Sequence, residues 1–476
     1  MVLEPRPYRR QPFDRSEKLY FLKVGLLVLS LYFFRRAMVS LAFLVWLLIP
    51  TLFFSFVWFK SIQTGERLID VLREHVTFIP ITRAEGGRKS FVPWATLGLI
   101  LANAAAFYAT RLLLPADLAT LENALVFLPP EPIRGISLLS PLASLFLHAD
   151  AGHLWGNMAF LWAFAPAVEE RLGARRFLLL YLATGLIGLT VSIVIWRLFF
   201  GLPLYSLGAS GAVAGIMGVF MVRCYFKKLV IPVPLAGLLS AKLRVSSLPV
   251  LGLFFVSDLH SGIDRLSGGT SNINYWTHVG SMAAGFALAV LLRLHAKAAE
   301  EKYTEQGLAA MGSEFGRRDS VDSLQAALRL NPDNEAALTG LAREYATTRK
   351  PEGRELFQRA IALQVGANPE KAMETYIEYR AAYGPGLESD LQYRLAGVFY
   401  RKGEHEPAAR LLEALVAEPS APDGTRQRAF FQLIVLLAEN NMLEAAHYRL
   451  GQFRELFPAS PLLQPAEDKL VEVLKS

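Results

Sequence analysis

The stretch YSLGASGAVAGIMG, Tyr205 to Gly218, decides how this chain is read. A lone hydroxyl, Ser210, sits between Ala209 and Gly211 and opens a run that stays mostly apolar to Phe226. Two readings stand open. A serine at a helix start commonly caps a free backbone N–H. It can also be a nucleophile presented at the helix end. The Gly-x-Ser-x-Gly elbow of soluble hydrolases is not matched, because Ala212 takes the place of the last glycine and no strand precedes. Gly211, Gly215 and Gly218 instead form a ridge of small residues, a face that lets a second helix approach closely.

Working outward, the run belongs to a chain too apolar for an ordinary soluble protein. Hydrophobic residues make up 53% of the 476 and charged ones only 19%, with a mean hydropathy of +0.31. The apolar residues concentrate before about residue 295, and charge rises after it, so a membrane half precedes a soluble half. The net charge of +7 sits beside apolar spans, where it sets topology, so a nucleic-acid partner is set aside. Cys224 is the single cysteine, so no internal disulfide forms. Lys23 interrupts the first apolar run and no cleavable signal peptide is expected.

A spanning helix needs about 20 apolar residues. Six segments qualify or come close: Trp94–Leu114, His153–Val168, Phe177–Trp196, Ser210–Phe226, Ser246–Leu259 and His278–Leu294. The short ones suit helices packed inside a bundle. A long loop, 115–147, follows the first span, and the loop 198–209 leads into Ser210. Arg171, Arg175 and Arg176 stand at the end of the second span, Arg223, Lys227, Lys228, Lys242 and Arg244 at the end of the fourth, and Arg293 and Lys297 at the end of the sixth. The alternate loops carry Asp117, Glu122, Glu131, Asp150, Asp258 and Asp264. The positive-inside rule makes the flanks of the six-span core cytoplasmic and turns the amino end of the Ser210 helix outward. Residues 19–34 and 38–59 read as a shallow cytoplasmic-side hairpin or interfacial helix pair, and 65–90 as a polar linker.

The fold class expected is therefore all-α: a polytopic six-helix membrane bundle followed by a soluble α-helical-repeat domain. The boundaries read as 1–93 for a membrane-associated region and linker, 94–296 for the core, 297–317 for a linker and 318–476 for the repeats. In the last part, Tyr393, Ala396, Gly397, Tyr400 and Ala409 fall near tetratricopeptide spacing, with an irregular α-bundle as the alternative.

Two further stretches carry candidate chemistry. In YWTHVGSMAAG, Tyr275–Gly285, His278 heads a span and is followed by Ser281 and Gly285, small residues four apart. Packed against the Gly211–Gly215 ridge, this face would bring the imidazole within hydrogen-bonding reach of Ser210. A histidine in a core is often only a satisfied structural group, but at membrane depth an ionisable side chain is a functional hypothesis. In FLHADAGHLWGNMAF, Phe146–Phe160, His153 and Asn157 share a helix face. Their N–H donors, with the backbone N–H of Ser210, can stabilise a developing oxyanion. His148, Asp150 and His153 stand as the alternative metal set, although structural and catalytic zinc sites carry a clearer ligand spacing. No metal and no cofactor is expected.

These residues resemble the rhomboid intramembrane serine proteases over about residues 94–295. Gly208-Ala209-Ser210-Gly211 is similar to the family's Gly-x-Ser-Gly, His278 to the histidine of its dyad, and His153 and Asn157 to its His-xxx-Asn. His148 matches a further histidine before that helix, and Glu169 and Gly173 in VEERLGARRF match a turn after the second span. Ser281 takes a place often held by Gly or Ala, and the first loop lacks a Trp-Arg pair found in some members. The resemblance implies catalytic Ser210 and His278, with Asn157, His153, Gly208 and His148 around the oxyanion and substrate. No acidic third member is evident, so a Ser–His dyad is implied. It further implies transmembrane protein substrates, a lipid bilayer around the core, and a multi-pass protein of the bacterial inner membrane. The C-terminal domain would be cytoplasmic and available to a protein partner. The alternative is a catalytically inactive membrane scaffold that recruits partners through its helical tail.

Overall fold

In the computed structural model, residues 22–30, 55–65, 67–68, 70–71, 76–77, 83–84, 91–113, 140–199, 207–236, 239–269, 271, 273–312 and 316–475 are described. Stretches 22–30 and 55–64 are helical. The remainder of the apolar pair read at 19–59, and most of the 115–147 and 198–209 loops, lie outside the described residues.

The chain divides into two units, Met1–Ala298 and Ala299–Ser476. The first holds helices α1 (Trp94–Leu113), α2 (Ser140–Ala143), α3 (Ala151–Leu172), α4 (Ala174–Phe199), α5 (Ser210–Arg223), α6 (Ser247–Leu266) and α7 (Tyr275–Leu291). At its centre is α5, whose residues are buried on nearly every face. A helix apolar all round must be enclosed, and α3, α4, α6 and α7 enclose it. Its 14 residues are short against the roughly 20 that a bilayer demands. By length and apolar content, one described helix, α4, suffices to cross a membrane alone. The pair formed by α7 and Leu294–Ala310, bent by 77°, passes the same test when taken together.

Small residues set how closely these helices meet. A Cβ on Gly215 would overlap the Thr184 side chain of α4, and one on Gly285 would overlap the Gly215 carbonyl oxygen. The α5–α7 crossing is therefore a backbone-to-backbone contact, open only to glycine at that point. Ser281, fully buried, fits because Gly188 and Gly211 leave room for its hydroxyl.

The turn between α3 and α4 carries a second device. Gly173 has φ of 79°, and its N–H donates to the Glu169 carbonyl oxygen to close α3. The Glu169 side chain, 2% exposed, reaches back to the start of α1. There it accepts from the N–H groups of Ala95 and Thr96, each at 2.8 Å, and from Thr96 Oγ1 at 2.6 Å. The first N–H groups of a helix have no partner inside it, and their dipole favours an anion. Glu169 supplies both needs.

The described residues are mostly helical, as the all-α class implies, and a small sheet is added between α5 and α6. Strands β3 (Lys228–Ala236) and β4 (Leu239–Ser246) form an antiparallel hairpin, with Val230 opposite Arg244. Two-residue strands β1 (Val76–Thr77) and β2 (Arg83–Ala84) flank it in the order β1-β4-β3-β2. Residues 65–90 thus contribute strands rather than a bare linker. In LSAKLRVS the apolar Leu239, Ala241, Leu243 and Val245 alternate with Ser240, Lys242, Arg244 and Ser246, the period of a pleated strand. Its cations mask this when they are read only as topology signals. The expected linker 297–317 is corrected likewise, because α8 runs from Leu294 to Ala310. Its Ala, Glu and Lys content favours a helix.

In the second unit α9 (Arg317–Leu330), α10 (Glu335–Thr347), α11 (Glu352–Ala367), α12 (Pro369–Tyr383) and α13 (Ser389–Arg401) are followed by four more helices. These are α14 (His405–Ala417), α15 (Asp423–Glu439), α16 (Leu443–Leu456) and α17 (Leu463–Lys475). Each packs against the next. Asn334 and Asn368 cap two of them by accepting from Ala337 and Lys371 N–H groups. Phe430 stacks on Phe453 at 5.2 Å within the continuous apolar core.

Candidate active site

Ser210 is the first residue of α5, and the capping position is held by Ala209, which makes no side-chain cap bond. The hydroxyl is therefore not spent on the helix end. It lies 2.9 Å from His278 Nε2 of α7. The α5–α7 glycine contact makes this approach possible, and the start of α7 is fixed independently. Asn274 caps it by accepting from Thr277 N–H, and the same Asn274 oxygen accepts from Ser192 of α4 at 2.7 Å.

Behind the imidazole, His278 Nδ1 lies 2.9 Å from Asp258 Oδ2. The expectation of a serine–histidine pair with no acid behind it is corrected here. The fifth span, read as ending at Leu259, continues as α6 to Leu266. Asp258 is thus a residue of the helix rather than of the outer loop. Both side chains are mostly shielded, 15% exposed for His278 and 14% for Asp258. An ionisable residue inside an apolar helix was the signal that could have found it.

The remaining sequence candidates gather on the other side of Ser210. Asp150 accepts from His153 N–H at 2.9 Å and caps α3. That cap orients the first turn of α3, which carries His153 one turn before Asn157. The Asn157 Nδ2 group is buried and has no hydrogen-bond partner. A buried amide left unpaired is costly, so its donors are held available to something that enters. Gly208 has φ of 116°, and a Cβ there would come within 2.8 Å of His153 Cε1 and 2.9 Å of its Nε2. Only glycine serves at that place. Its N–H donates to the Ser144 carbonyl oxygen at 2.8 Å. His148, buried just ahead of α3, accepts from Ala209 N–H on Nε2 at 3.4 Å and meets the His153 ring edge-on at 5.1 Å. Burial first, and then neighbouring His153, hold the His148 imidazole down at about 4, so that it stays neutral and free to accept.

Ser210, His278, Asn157 and His153 all line one cavity of about 240 Å³, together with the apolar Met217, Phe160 and Phe254. The three residues weighed as a metal set are engaged separately: Asp150 with a backbone N–H, His148 with Ala209, and His153 on the cavity. Chemically, the arrangement offers a hydroxyl beside an imidazole base and unpaired N–H donors in an apolar hollow.

Comparisons with known proteins point to one family. Residues 137–295 match the family model of the Rhomboid domain. That range contains every candidate site residue and begins after α1. The chain is 32% identical over 150 residues to the provisionally named rhomboid protease YdcA of Bacillus subtilis, covering 32% of this chain and 65% of that protein. It is 29% identical over 308 residues to rhomboid protease GluP of the same organism, covering 64% of this chain and 49% of that protein. With mitochondrial Rhomboid protein 1 of Saccharomyces cerevisiae it shares 30% over 187 residues, 38% of this chain and 48% of that protein. The chain thus spans between about half and just under two thirds of the curated relatives it matches. These similarities support the rhomboid family, whose members are integral membrane proteins.

Proposed function

We propose that this chain is an intramembrane serine endopeptidase that cleaves transmembrane segments of membrane proteins. The observation that carries the reading is the 2.9 Å separation of Ser210 Oγ and His278 Nε2 across the α5–α7 crossing. His278 takes the hydroxyl proton as Ser210 attacks the scissile carbonyl carbon. The oxyanion accepts hydrogen bonds from Asn157 Nδ2, from His153 and from the Ser210 backbone N–H. As the carbon–nitrogen bond breaks, His278 returns the proton to the leaving amine and an acyl-enzyme remains. Water, activated by the same imidazole, then releases the acid product and restores Ser210.

A regular transmembrane helix ties up its own peptide groups. Substrates are therefore segments whose helix is weakened by glycine or proline near the outer end of the span. The basic loops keep the flanks of the core and the C-terminal helices, tetratricopeptide-like in reading, on the cytoplasmic side of a bacterial inner membrane. There the helical unit is available to a protein partner.

The deciding experiment labels the full-length protein in detergent with a fluorophosphonate probe, alongside Ser210→Ala and His278→Ala. Wild type labels, while both variants fall to background. Equal labelling of Ser210→Ala overturns the reading and leaves the scaffold alternative. Cleavage sites mapped to stable mid-helix segments overturn the substrate rule.

A further inference from the structure

We propose that Asp258 is a positioning residue for His278, so that the site works as an acid–histidine–serine relay spread over α6, α7 and α5. The proposal rests on the serine-protease reading above and goes beyond the pair that it requires.

The geometry carries it. Asp258 Oδ2 stands 2.9 Å from Nδ1, and Ser210 Oγ stands 2.9 Å from Nε2, so the two imidazole nitrogens are addressed from opposite sides by two helices. A neutral imidazole has one N–H and one lone pair, and a carboxylate only accepts. With the carboxylate on Nδ1, that nitrogen carries the proton. The Nε2 lone pair then points at the serine hydroxyl, the tautomer that a general base needs. The opposite tautomer would put an N–H against Ser210 and leave a carboxylate facing a lone pair. When His278 accepts the serine proton, the imidazolium forms beside Asp258. No proton moves to the acid, and the charge is balanced where it arises.

Location adds a second argument. Asp258 lies within a helix whose neighbouring Phe254 walls the cavity and tilts against the His278 ring at 6.4 Å. A carboxylate mostly shielded at such a place is expensive to keep unless it is paired. Among the described residues its partner is the imidazole itself, at 2.9 Å. The side chain thus orients one group, and that group is the base.

The test uses the full-length chain in detergent, with Asp258→Asn, Asp258→Ala and Asp258→Glu beside wild type and Ser210→Ala. Steady-state cleavage of a fluorogenic transmembrane peptide and the fluorophosphonate labelling rate are both read, and a thermal melt checks folding. Asp258→Asn is expected to lose at least about tenfold in kcat and in labelling rate, with KM and the melt little changed, because the wrong tautomer becomes available. Asp258→Glu recovers part of the rate. Wild-type kcat in Asp258→Asn overturns the proposal while Ser210-dependent activity stands. Absence of Ser210-dependent labelling in wild type overturns the protease reading and this proposal together. Should the variants misfold, ¹⁵N-histidine magnetic resonance of wild type, assigned with His278→Gln, reads the tautomer directly. Protonated Nδ1 with bare Nε2 supports the relay, and the reverse overturns it.

Discussion

At the scale of single residues, the site separates into groups that react and groups that hold them. His148 belongs to the second kind. Its Nε2 accepts from the Ala209 N–H just before the serine, which requires a neutral ring. Burial and His153 keep it so by pulling its pKa from 6.5 to about 4 in the folded chain. The sign follows from linkage: the unfolded state binds the proton more readily, so this contribution is complete above about pH 6.5 and fades as pH falls toward about 4. Thermal melts between pH 7.5 and 4.5 should show wild type losing stability across that window, with His148→Gln losing less. A slope unchanged in the variant would contradict the assignment. The sequence carries Ser210, His278, His153 and Asn157 plainly, because each sits in a short motif at helical spacing. Asp258 is hidden for a physical reason. Hydropathy places acids in loops, whereas a helix inside a bundle can carry one wherever a partner faces it.

At the scale of elements, the α5–α7 crossing does for the site what no single side chain can. A Cβ at Gly285 meets the Gly215 carbonyl oxygen, which is backbone and cannot rotate away. Gly285→Ala should destabilise the bundle by about 1–3 kcal/mol through overpacking. It should also cut Ser210 labelling out of proportion, because widening the crossing separates Oγ from Nε2. A labelling rate that falls only in step with the folded fraction would show that the crossing is not what sets the distance. The ridge itself is readable in advance from Gly211, Gly215, Ser281 and Gly285. The β3–β4 hairpin is harder to see. Lys228, Lys242 and Arg244 are strand residues and topology signals at once, and a reading by charge alone collapses the two.

At the scale of the whole molecule, the two units differ in kind. All candidate site residues lie within Met1–Ala298, while Ala299–Ser476 is a run of amphipathic helices with its own apolar core. Units with separate cores commonly fold separately. A chain truncated after Ala310 should therefore keep Ser210 labelling within about twofold of the full-length rate, normalised to folded protein. Loss of labelling from a truncated chain that still melts cooperatively would mean that the helical tail is needed for the chemistry. The general division into an apolar and a polar half is legible from composition, because a helix enclosed by others and a helix facing water take opposite residues.

The carboxylate of Glu169 has a temporal meaning as well as a spatial one. It ends the open amino terminus of α1 from more than seventy positions downstream, at sequence separations of 74 and 73. During synthesis the leading N–H groups of α1 have no carboxylate to meet until the ribosome has delivered the whole of α3 and the chain has reversed at Gly173. A nascent polypeptide stalled before that point would lack the partner of those N–H groups altogether. The same polypeptide stalled after α3 would already carry the group that closes the start of α1.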